Sequence, residues 1–462
     1  MQKTIAEKIS EFCFSLDYDA IPANVLEKAK DLILDTVGIC LRSSKIDFGG
    51  IILNLAQSWG GASESSLVGS NVKVCMHHAA FANGVLGHGL DYDDTHTESV
   101  VHPSSCLVPV ALSVGEKTGR SGEDVLAALI AGLEVMIRIG MPALNRFHMR
   151  GFHTTSICGT FASAVVAGKL MDLSQTEMNN ALGISGSFTS GLLECLSFGS
   201  WAKQLHAGWA GMGGIVSAQL AQRSYTGPAS IFEGRLGLYN SFLRSEQLDL
   251  NLIFNGIGEE WEVLNIRPKL YPCCHYLQAF LDCAAFLRKK HGFDTRKIQK
   301  IICRVSEGAA NIICTPWDKK LAPTSAYDLK FSLPYAVSIM FIKGKAGFSE
   351  FSTIPSQDAE VSGLMDKVTY EIEPAFKVKD MPGAIRVLLS DGTSLEHCID
   401  QVRGDAGHPI SREELLEKFY DNCLPVLGKE MTGKIADQVF NFEQQGDIRG
   451  FMGQLAGMIS ER

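Results

Sequence analysis

The chain has 462 residues, of which 46% are hydrophobic and 20% charged, and its formal net charge is −9 with histidine neutral. This composition excludes intrinsic disorder and provides enough apolar material for two or three domains. A mildly acidic chain is not expected to bind nucleic acid, because that binding needs clustered cations that displace counterions. An anionic ligand must therefore meet a local basic pocket.

The cysteines and the N-terminus indicate the compartment. The thirteen cysteines are scattered without a C-x-x-C pair, and only Cys273 and Cys274 are adjacent. This spacing is typical neither of a zinc ribbon nor of a disulfide framework, so we expect reduced, buried thiols. The first residues lack the apolar core of a signal peptide, and the apolar stretch Val125–Leu133 is shorter than the ~20 residues that span a bilayer. We expect a cytoplasmic protein with no membrane partner.

The N-terminal half has the apolar periodicity of helices. Pro22, a residue tolerated at the first helical position, begins a segment with one apolar stripe, made of Val25, Ala29, Leu32, Ile33 and Val37. Ser121-Gly-Glu-Asp124 and Ser174-Gln-Thr-Glu177 have the pattern of capping boxes, and we expect the second helix to end at Gly183. Small residues further on predict close approach of the backbone to another backbone or to a ligand, namely Gly208, Ala210, Gly211, Gly213 and Gly214.

The pattern changes after about residue 265. A helix is predicted to end in Arg288-Lys-Lys290 and Gly292, because basic residues and glycine are typical of helix C-termini. Strand-like runs follow, and a hairpin is predicted at Asp391-Gly392, with the runs at 301–305, 368–372, 385–389 and 395–399. From Ser411 the pattern is helical again. We predict a mostly α protein with a large all-helical domain over residues 1–266, completed by 401–462, and a smaller α+β domain over 267–400.

The densest polar cluster is Gly87-His-Gly-Leu-Asp-Tyr-Asp-Asp-Thr-His96, followed by His102-Pro-Ser-Ser105. Six ionisable residues lie close together here, namely Asp91, Asp93, Asp94, His96, Glu98 and His102. Such groups are costly to bury unless they are paired, and crowding moves their pKa values apart, which provides an acid and a base near neutrality. The alternative interpretation is a solvated loop with an aspartate-rich helix cap.

A metal site is a second alternative for this cluster. His88-x-x-Asp91 and the pair Asp93 and His96 combine nitrogen and oxygen ligands, as a zinc or di-metal hydrolase does. However, the chain contains neither H-E-x-x-H nor Asp-Asp-x-x-Asp, so no specific ligand spacing is met. We therefore expect no metal and keep a metal-dependent hydrolase as an alternative.

Three further clusters contain basic residues. Arg146-Phe-His-Met-Arg150-Gly-Phe-His153 precedes a small-residue helical run and is suited to receive a carboxylate, unless it is a basic connector with surface arginines. Lys203-Gln-Leu-His206 lies among Trp201, Leu205 and glycines, and a buried lysine there needs an anion. Lys269-Leu-Tyr-Pro-Cys-Cys-His275 lies at the change of pattern, where either a ligand cleft or a packed connector is expected.

Together, in this order, the clusters resemble the MmgE/PrpD family over nearly the whole chain. The segments that carry the resemblance are His88-Gly-Leu-Asp-Tyr-Asp-Asp-Thr95, His102-Pro-Ser104, Gly151-Phe-His-Thr-Thr-Ser156 with Gly159-Thr160, Lys203-x-Leu-His206-x-Gly208 and Lys269-x-Tyr-Pro-Cys-Cys274. The resemblance implies a large all-α domain built from both chain ends, a smaller α+β domain and a homodimer. It also implies cofactor-free chemistry on small di- or tricarboxylates, with active-site positions Asp91, Thr95, His102, His153 and Lys203.

One segment departs from the family pattern. Where dehydratase-like members have Tyr-Pro-Cys-Cys-Arg-Tyr-x-His, this chain has His275 at the arginine position and Gln278 at the histidine position. The histidine of the decarboxylase branch aligns nearer Cys274. The departure leaves open whether Cys274 or His275 binds substrate, and which carboxylic acid the substrate is.

Decarboxylation, dehydration and epimerisation beside a carboxylate all pass through carbanion or enolate character, which needs cations and one proton-transfer group. We assign Asp91, His102, His153 and Lys203 as catalytic, because imidazole acts as acid or base near neutrality and lysine spreads negative charge. Substrate binding is assigned to Thr95, Arg146, Arg150, Lys269, Cys274 and His275. The predicted function is a cofactor-free lyase that removes CO2 or water from a cis-aconitate- or methylcitrate-like acid. The alternative on the same fold is an epimerase of an iminodisuccinate-like dicarboxylate.

Overall fold

The structure is a computed structural model that describes residues 3–197, 200–244, 247–352 and 358–457. It contains two compact units, one made of the chain up to Pro268 together with the chain from Ser411 onward, and one made of Lys269–Ile410. Helices predominate in both units, and strands are few. The prediction of a mostly α protein with a smaller α+β part is therefore confirmed.

The first unit is helical apart from one short ribbon, in which β1 (Ser65–Ser66) pairs antiparallel with β2 (Lys73–Val74). Its helices are α1 (Ile5–Ser15), α2 (Ala23–Ser43), α3 (Asp47–Ser58), α4 (Met76–His88), α5 (Pro103–Thr118), α6 (Gly122–Gly140), α7 (Arg146–Met149), α8 (Thr154–Leu170), α9 (Gln175–Ser185), α10 (Leu205–Gln222) and α11 (Leu238–Leu243). The C-terminal part of the chain adds two more, which in chain order are α18 (Arg412–Phe440) and α19 (Arg449–Leu455).

Helix α8 lies at the centre of this unit. All of its residues are buried except Lys169, and it packs against α5, α6, α9 and α10. A helix that is small or apolar on every side is stable in water only when neighbours cover it all round. Helix α6 is similarly buried, and with its extension to Ala143 it is the one helix of the described chain that is long and apolar enough to cross a membrane; 94% of its apolar window is buried inside the protein.

Glycines on α4 and α10 allow these helices to approach at backbone distance. A Cβ atom at Gly208 would lie 2.2 Å from the carbonyl oxygen of Phe81 on α4, and one at Gly214 would lie 2.3 Å from the Cβ of Ser163 on α8. No side chain larger than hydrogen fits at these contacts. The predicted close approach is therefore confirmed, and it fixes the start of α10 beside the end of α4 and the start of α8.

Helix ends follow local sequence with two exceptions. The capping boxes at Ser121 and Ser174 are present, whereas Pro22 is the N-cap of α2 rather than its first helical residue. The predicted end of α9 at Gly183 is wrong, because the helix continues to Ser185 and Gly186 is its C-cap. A Cβ at Gly183 would lie 2.6 Å from the carbonyl carbon of Gly227, so this glycine serves a close packing contact instead of a helix end.

The second unit has a four-stranded sheet of order β4-β3-β5-β6, formed by β3 (Ile298–Val305), β4 (Val368–Ile372), β5 (Gly383–Leu389) and β6 (Ser394–Ile399). Strand β3 pairs parallel with β4, with Ile301 opposite Val368, and antiparallel with β5. Strands β5 and β6 form the predicted hairpin, in which Gly392 has φ +87°. The helices of this unit are α12 (His275–His291), α13 (Glu307–Ile313), α14 (Trp317–Leu321), α15 (Ala326–Leu329), α16 (Leu333–Lys343) and α17 (Ala359–Met365).

Candidate active site

The aspartate-rich segment between α4 and α5 is buried. Every residue from His88 to Thr97 is buried, so the alternative interpretation of a solvated loop is wrong. The backbone of Asp91 has φ +52°, and that of Val100 has φ +55°. Asparagine and aspartate are tolerated in this left-handed region, but a β-branched valine is rare there, and such strain is typical of functional loops. Mutual backbone hydrogen bonds between His96 and Val101 close the segment into a tight turn.

Lys203 enters this loop from the 3-10 turn Trp201–Gln204 that precedes α10. Its Nζ donates to Oδ1 of Asp91 at 2.8 Å, and both side chains are buried. The amide of Gln204 donates to the carbonyl oxygen of Gly89 at 3.0 Å and ties the same turn to the loop. A buried lysine is stable only beside an anion, and here Asp91 supplies the negative charge.

Five histidine rings form one cluster near the ion pair of Lys203 and Asp91. The rings of His88, His102 and His153 form a triangle with centroid separations of 5.2, 5.5 and 5.9 Å. The rings of His148 and His206 lie 5.7 and 5.1 Å from that of His153. We call these five residues the imidazole cluster. They come from the end of α4, the N-caps of α5 and α8, the short α7 and the first turn of α10.

Hydrogen bonds orient two of these rings. Nδ1 of His102 lies 2.7 Å from the carbonyl oxygen of Asp94, an acceptor only, so Nδ1 carries the proton and Nε2 the lone pair of the neutral ring. The hydroxyl of Thr95 lies 3.2 Å from the same Nδ1 atom. Nδ1 of His88 lies 2.7 Å from Oδ2 of Asp93 and is oriented in the same way by a carboxylate. Both rings therefore present Nε2 away from the loop backbone.

Three nitrogens of the imidazole cluster lack partners. Nε2 of His88, of His148 and of His153 is buried and has no hydrogen-bond partner among the described residues. Buried polar atoms are paired in the great majority of cases, so three unpaired nitrogens in one cluster indicate a place where a ligand or water supplies the bonds. Within the described part of the chain, no group of three or more His, Cys, Asp or Glu side chains is arranged to hold a metal ion.

Burial and Lys203 keep three rings of the imidazole cluster neutral, those of His148, His153 and His206. Burial, with the positive charge of Lys203, lowers the pKa of His148 to about 4, and burial with His88 and Lys203 lowers the pKa of His206 to about 4. The same causes hold the pKa of His153 well below its usual 6.5. A neutral imidazole has one donor and one acceptor nitrogen, so each ring is able to take a proton from one group and give a proton to another.

Asp94 is the carboxyl group of the loop that titrates near neutrality. Burial raises its pKa to about 7, against the hydrogen bonds of Ser104, whose backbone N–H donates to Oδ1 at 3.2 Å and whose hydroxyl donates to Oδ2. Neighbouring Asp93 raises the same pKa further. The contrasting pKa shifts in one cluster are typical of an acid–base site.

A second buried ion pair, between Lys418 and Asp35, holds the backbone of the loop. Nζ of Lys418, on α18, lies 2.5 Å from Oδ1 of Asp35 on α2 and donates to the carbonyl oxygen of Tyr92 at 2.9 Å. The same ammonium lies 3.8 Å from the centroid of the Tyr92 ring. The C-terminal helix thus holds the backbone between Asp91 and Asp93 in place. Sequence reasoning missed both residues, because they belong to no local motif.

The predicted substrate-binding arginines make backbone contacts. Arg146 donates from Nη1 to the carbonyl oxygen of Pro142 at 3.2 Å, and exposed Arg150 donates from Nη2 to that of Leu243 at 3.2 Å. Thr95 lies in the loop, and its backbone pairs with Arg267. The structure thus brings Asp91, Thr95, His102, His153 and Lys203 into one region of the first unit.

Lys269, Cys274 and His275 are buried in the second unit, where Cys274 is the N-cap of α12. Gln278 fixes their segment, because its Oε1 accepts from the backbone N–H groups of Leu270 and Tyr271, both at 3.1 Å. Gln278 is therefore a backbone anchor. The substrate contacts assigned to this segment stay predictions.

Three residues of the imidazole cluster were not predicted as site residues, namely His88, His148 and His206. His88 and His206 stand inside matched segments, and His148 stands between the two arginines, so a signal existed for each. It was insufficient because an isolated histidine in a helix is more often structural. Only the convergence of five rings identifies them.

Buried imidazoles beside a lysine–aspartate pair in a mostly helical protein are groups of the kind that acid–base sites use. Sequence profiles give the family. The MmgE/PrpD N-terminal domain matches residues 7–251, and the MmgE/PrpD C-terminal domain matches residues 271–441. The chain belongs to the MmgE/PrpD family, and the predicted resemblance is confirmed.

Curated relatives agree on the class of reaction. Cis-aconitate decarboxylase of Aspergillus terreus is 24% identical over 96% of this chain and 94% of its own, and that of Homo sapiens is 26% identical over 97% and 93%. The 2-methylcitrate dehydratase of Escherichia coli (strain K12) is 23% identical over 74% and 73%. Decarboxylases and dehydratases are both lyases, so the prediction of a lyase is confirmed at the level of enzyme class.

Proposed function

We propose that this lyase removes CO2 or water from a small di- or tricarboxylate similar to cis-aconitate or methylcitrate. The observation that carries the proposal is the buried Lys203–Asp91 ion pair beside the unpaired Nε2 atoms of His88 and His153. Positive charge and unpaired imidazole nitrogens in one buried place suit a substrate that is an anion and becomes a carbanion.

In the proposed decarboxylation, the bond between a carboxylate carbon and its neighbour breaks, and the electron pair stays on the substrate as an enolate. Lys203 stabilises that charge through its ammonium group, and a cluster imidazole that holds a second proton then gives it to the carbon and returns to its neutral form. In the proposed dehydration, Nε2 of His102 takes the proton beside the carboxylate, and the electron pair of that C–H bond forms the double bond as the C–O bond breaks. The imidazolium of His102 returns the proton to the hydroxyl, which leaves as water. Both sequences use only groups of this chain, and we expect no cofactor.

The test is a screen of the purified protein, in metal-free buffer, against citrate, 2-methylcitrate, cis-aconitate, trans-aconitate and iminodisuccinate. Proton NMR in deuterium oxide follows the products, and a coupled assay detects CO2. We expect Lys203→Ala to lose at least ~100-fold in rate, the usual scale for a group of this kind. Lys290→Ala, at an exposed lysine of α12, is the matched control and keeps wild-type turnover.

The outcomes separate the alternatives. Release of CO2 or water supports the lyase, whereas exchange of a substrate proton without loss of a fragment shows an epimerase. Turnover that appears only after addition of zinc or manganese contradicts the cofactor-free proposal. The homodimer and the cytoplasmic location stay predictions, and light scattering of the purified protein measures the first.

A further inference from the structure

The rings of His206 and His153 contact each other through the Nδ1 atom of each ring. Nδ1 of His206 lies 3.0 Å from Nδ1 of His153, and both rings are buried. His206 stands in the first turn of α10, and His153 is the N-cap of α8. The close approach of these helices at Gly214 and Ser163 holds the two rings at this separation. The contact is therefore set by the packing of two core helices.

Such a contact requires one proton between the two nitrogens. Two lone pairs at 3.0 Å repel each other, and two N–H groups clash, so one ring donates and the other accepts. If His153 donates, its Nε2 carries the lone pair and acts as a base. If His206 donates, Nε2 of His153 carries the proton and acts as an acid. The state of His206 thus sets the chemical role of His153.

His153 has no other partner that fixes this choice. Its Nε2 is buried without a hydrogen-bond partner among the described residues, and its ring stacks 5.5 Å from that of His88. His153 is 0% exposed and His206 is 9% exposed, so a positive charge is less costly on His206 than on His153.

We propose that His206 is a positioning residue that fixes the tautomer of His153 and exchanges a proton with it. This inference rests on the proposed function. When Nε2 of His153 takes a proton from a substrate carbon, an N–H bond forms there, the N–H bond at its Nδ1 breaks, and that proton binds Nδ1 of His206. The positive charge ends on His206, and the reverse transfer restores the donor form of His153.

The first experiment observes the shared proton without substrate. Full-length protein labelled with ¹⁵N-histidine is expected to show a scalar coupling across one N–H···N bond, between Nδ1 of His153 and Nδ1 of His206. His206→Asn abolishes the coupling. His78→Asn is the matched control, because the rings of His77 and His78 lie 4.3 Å apart without a nitrogen–nitrogen hydrogen bond. Nitrogen shifts that show both Nδ1 atoms unprotonated overturn the proposal.

The second experiment separates proton exchange from packing. The amide of His206→Asn can hydrogen-bond Nδ1 of His153 but cannot carry its proton, whereas His206→Leu only fills the space. With a substrate from the screen, we expect kcat of both variants to fall by ~100-fold, with KM little changed and the pH profile of kcat altered. Wild-type kcat and pH profile in His206→Leu overturn the proposal. If the wild type turns over none of these acids, the proposed function fails. The NMR experiment then still shows whether His153 and His206 share a proton.

Discussion

Two regions of the helical unit place titratable side chains in the protein interior and differ in how completely the nitrogen and oxygen atoms of these side chains are paired. In α6, Nε of Arg138 donates to Glu134 at 2.8 Å, and its two other nitrogens donate to the carbonyl oxygens of Asn255 and Glu260 at 2.6 and 2.7 Å. The second oxygen of Glu134 accepts from the backbone N–H of Val263 at 2.9 Å. Every nitrogen and oxygen of this side-chain pair has a partner.

The imidazole cluster is the contrasting region. Its rings range from fully buried to half-buried, and Nε2 of His88, of His148 and of His153 has no partner among the described residues. Burial of charge alone therefore does not identify an active site. The concentration of three unpaired nitrogens in one group of neighbouring rings favours a ligand site there.

The largest expected effect is on stability, at the fully paired region. Arg138→Ala leaves the Glu134 carboxylate buried without its cation, and we expect the free energy of unfolding to fall by about 3–5 kcal/mol. Urea denaturation measures it. The double variant Glu134→Leu with Arg138→Leu recovers part of the loss, since no uncompensated charge remains. A loss below about 1 kcal/mol in Arg138→Ala contradicts the assignment of this pair as a stabilising network.

In the imidazole cluster the expected loss is in activity. His102→Ala removes the ring that Asp94 orients, and kcat should fall by at least ~100-fold, because a proton-transfer group is lost. The unfolding free energy should change by less than ~1 kcal/mol, since the ring is only half-buried. Steady-state kinetics and urea denaturation of the same preparation test both statements. A variant that keeps turnover but loses stability would place His102 among the structural residues.

The pH dependence of the free energy of unfolding, which Asp94 controls in part, tests the same comparison. Its pKa is raised to about 7 in the folded protein, so the folded state binds a proton that the unfolded state loses above its usual value of 3.8. Stability is therefore full below about pH 4 and falls as the pH rises to about 7, by at most about 1.4 kcal/mol per pH unit. Asp94→Asn, which mimics the protonated acid, should remove this dependence. Equal pH slopes of unfolding for the two proteins would contradict it.

A smaller effect is expected at His148, with the opposite sign. Burial lowers its pKa to about 4, so its contribution to stability is present above about pH 6.5 and is lost as the pH falls through 4. His148→Gln should therefore resist acid unfolding better than the wild type in that window. His291→Gln, at an exposed histidine, is the control and should match the wild type. Circular dichroism during acid titration measures the difference.

Sequence reasoning reached much of the fold and the loop that carries the site. The hairpin at Gly392 and the C-terminus of α12 at Gly292 were predicted from a few adjacent residues. The imidazole cluster was predicted only in part, because the local signals at His148 and His206 were too weak to separate a functional histidine from a structural one. Lys418 lies 326 residues from Tyr92, and no short motif joins them.

The features that the amino-acid sequence determined by itself are local helix caps and turns. The capping box at Ser411 and the turn at Gly392 depend on residues within a few positions, whose hydrogen bonds form without the rest of the chain. Only the tertiary structure decided that Gly183 is a packing contact and that His153 and His206 face each other. Those outcomes depend on helices distant in the chain, whose packing overrides local preference because it buries far more surface than one cap or turn provides.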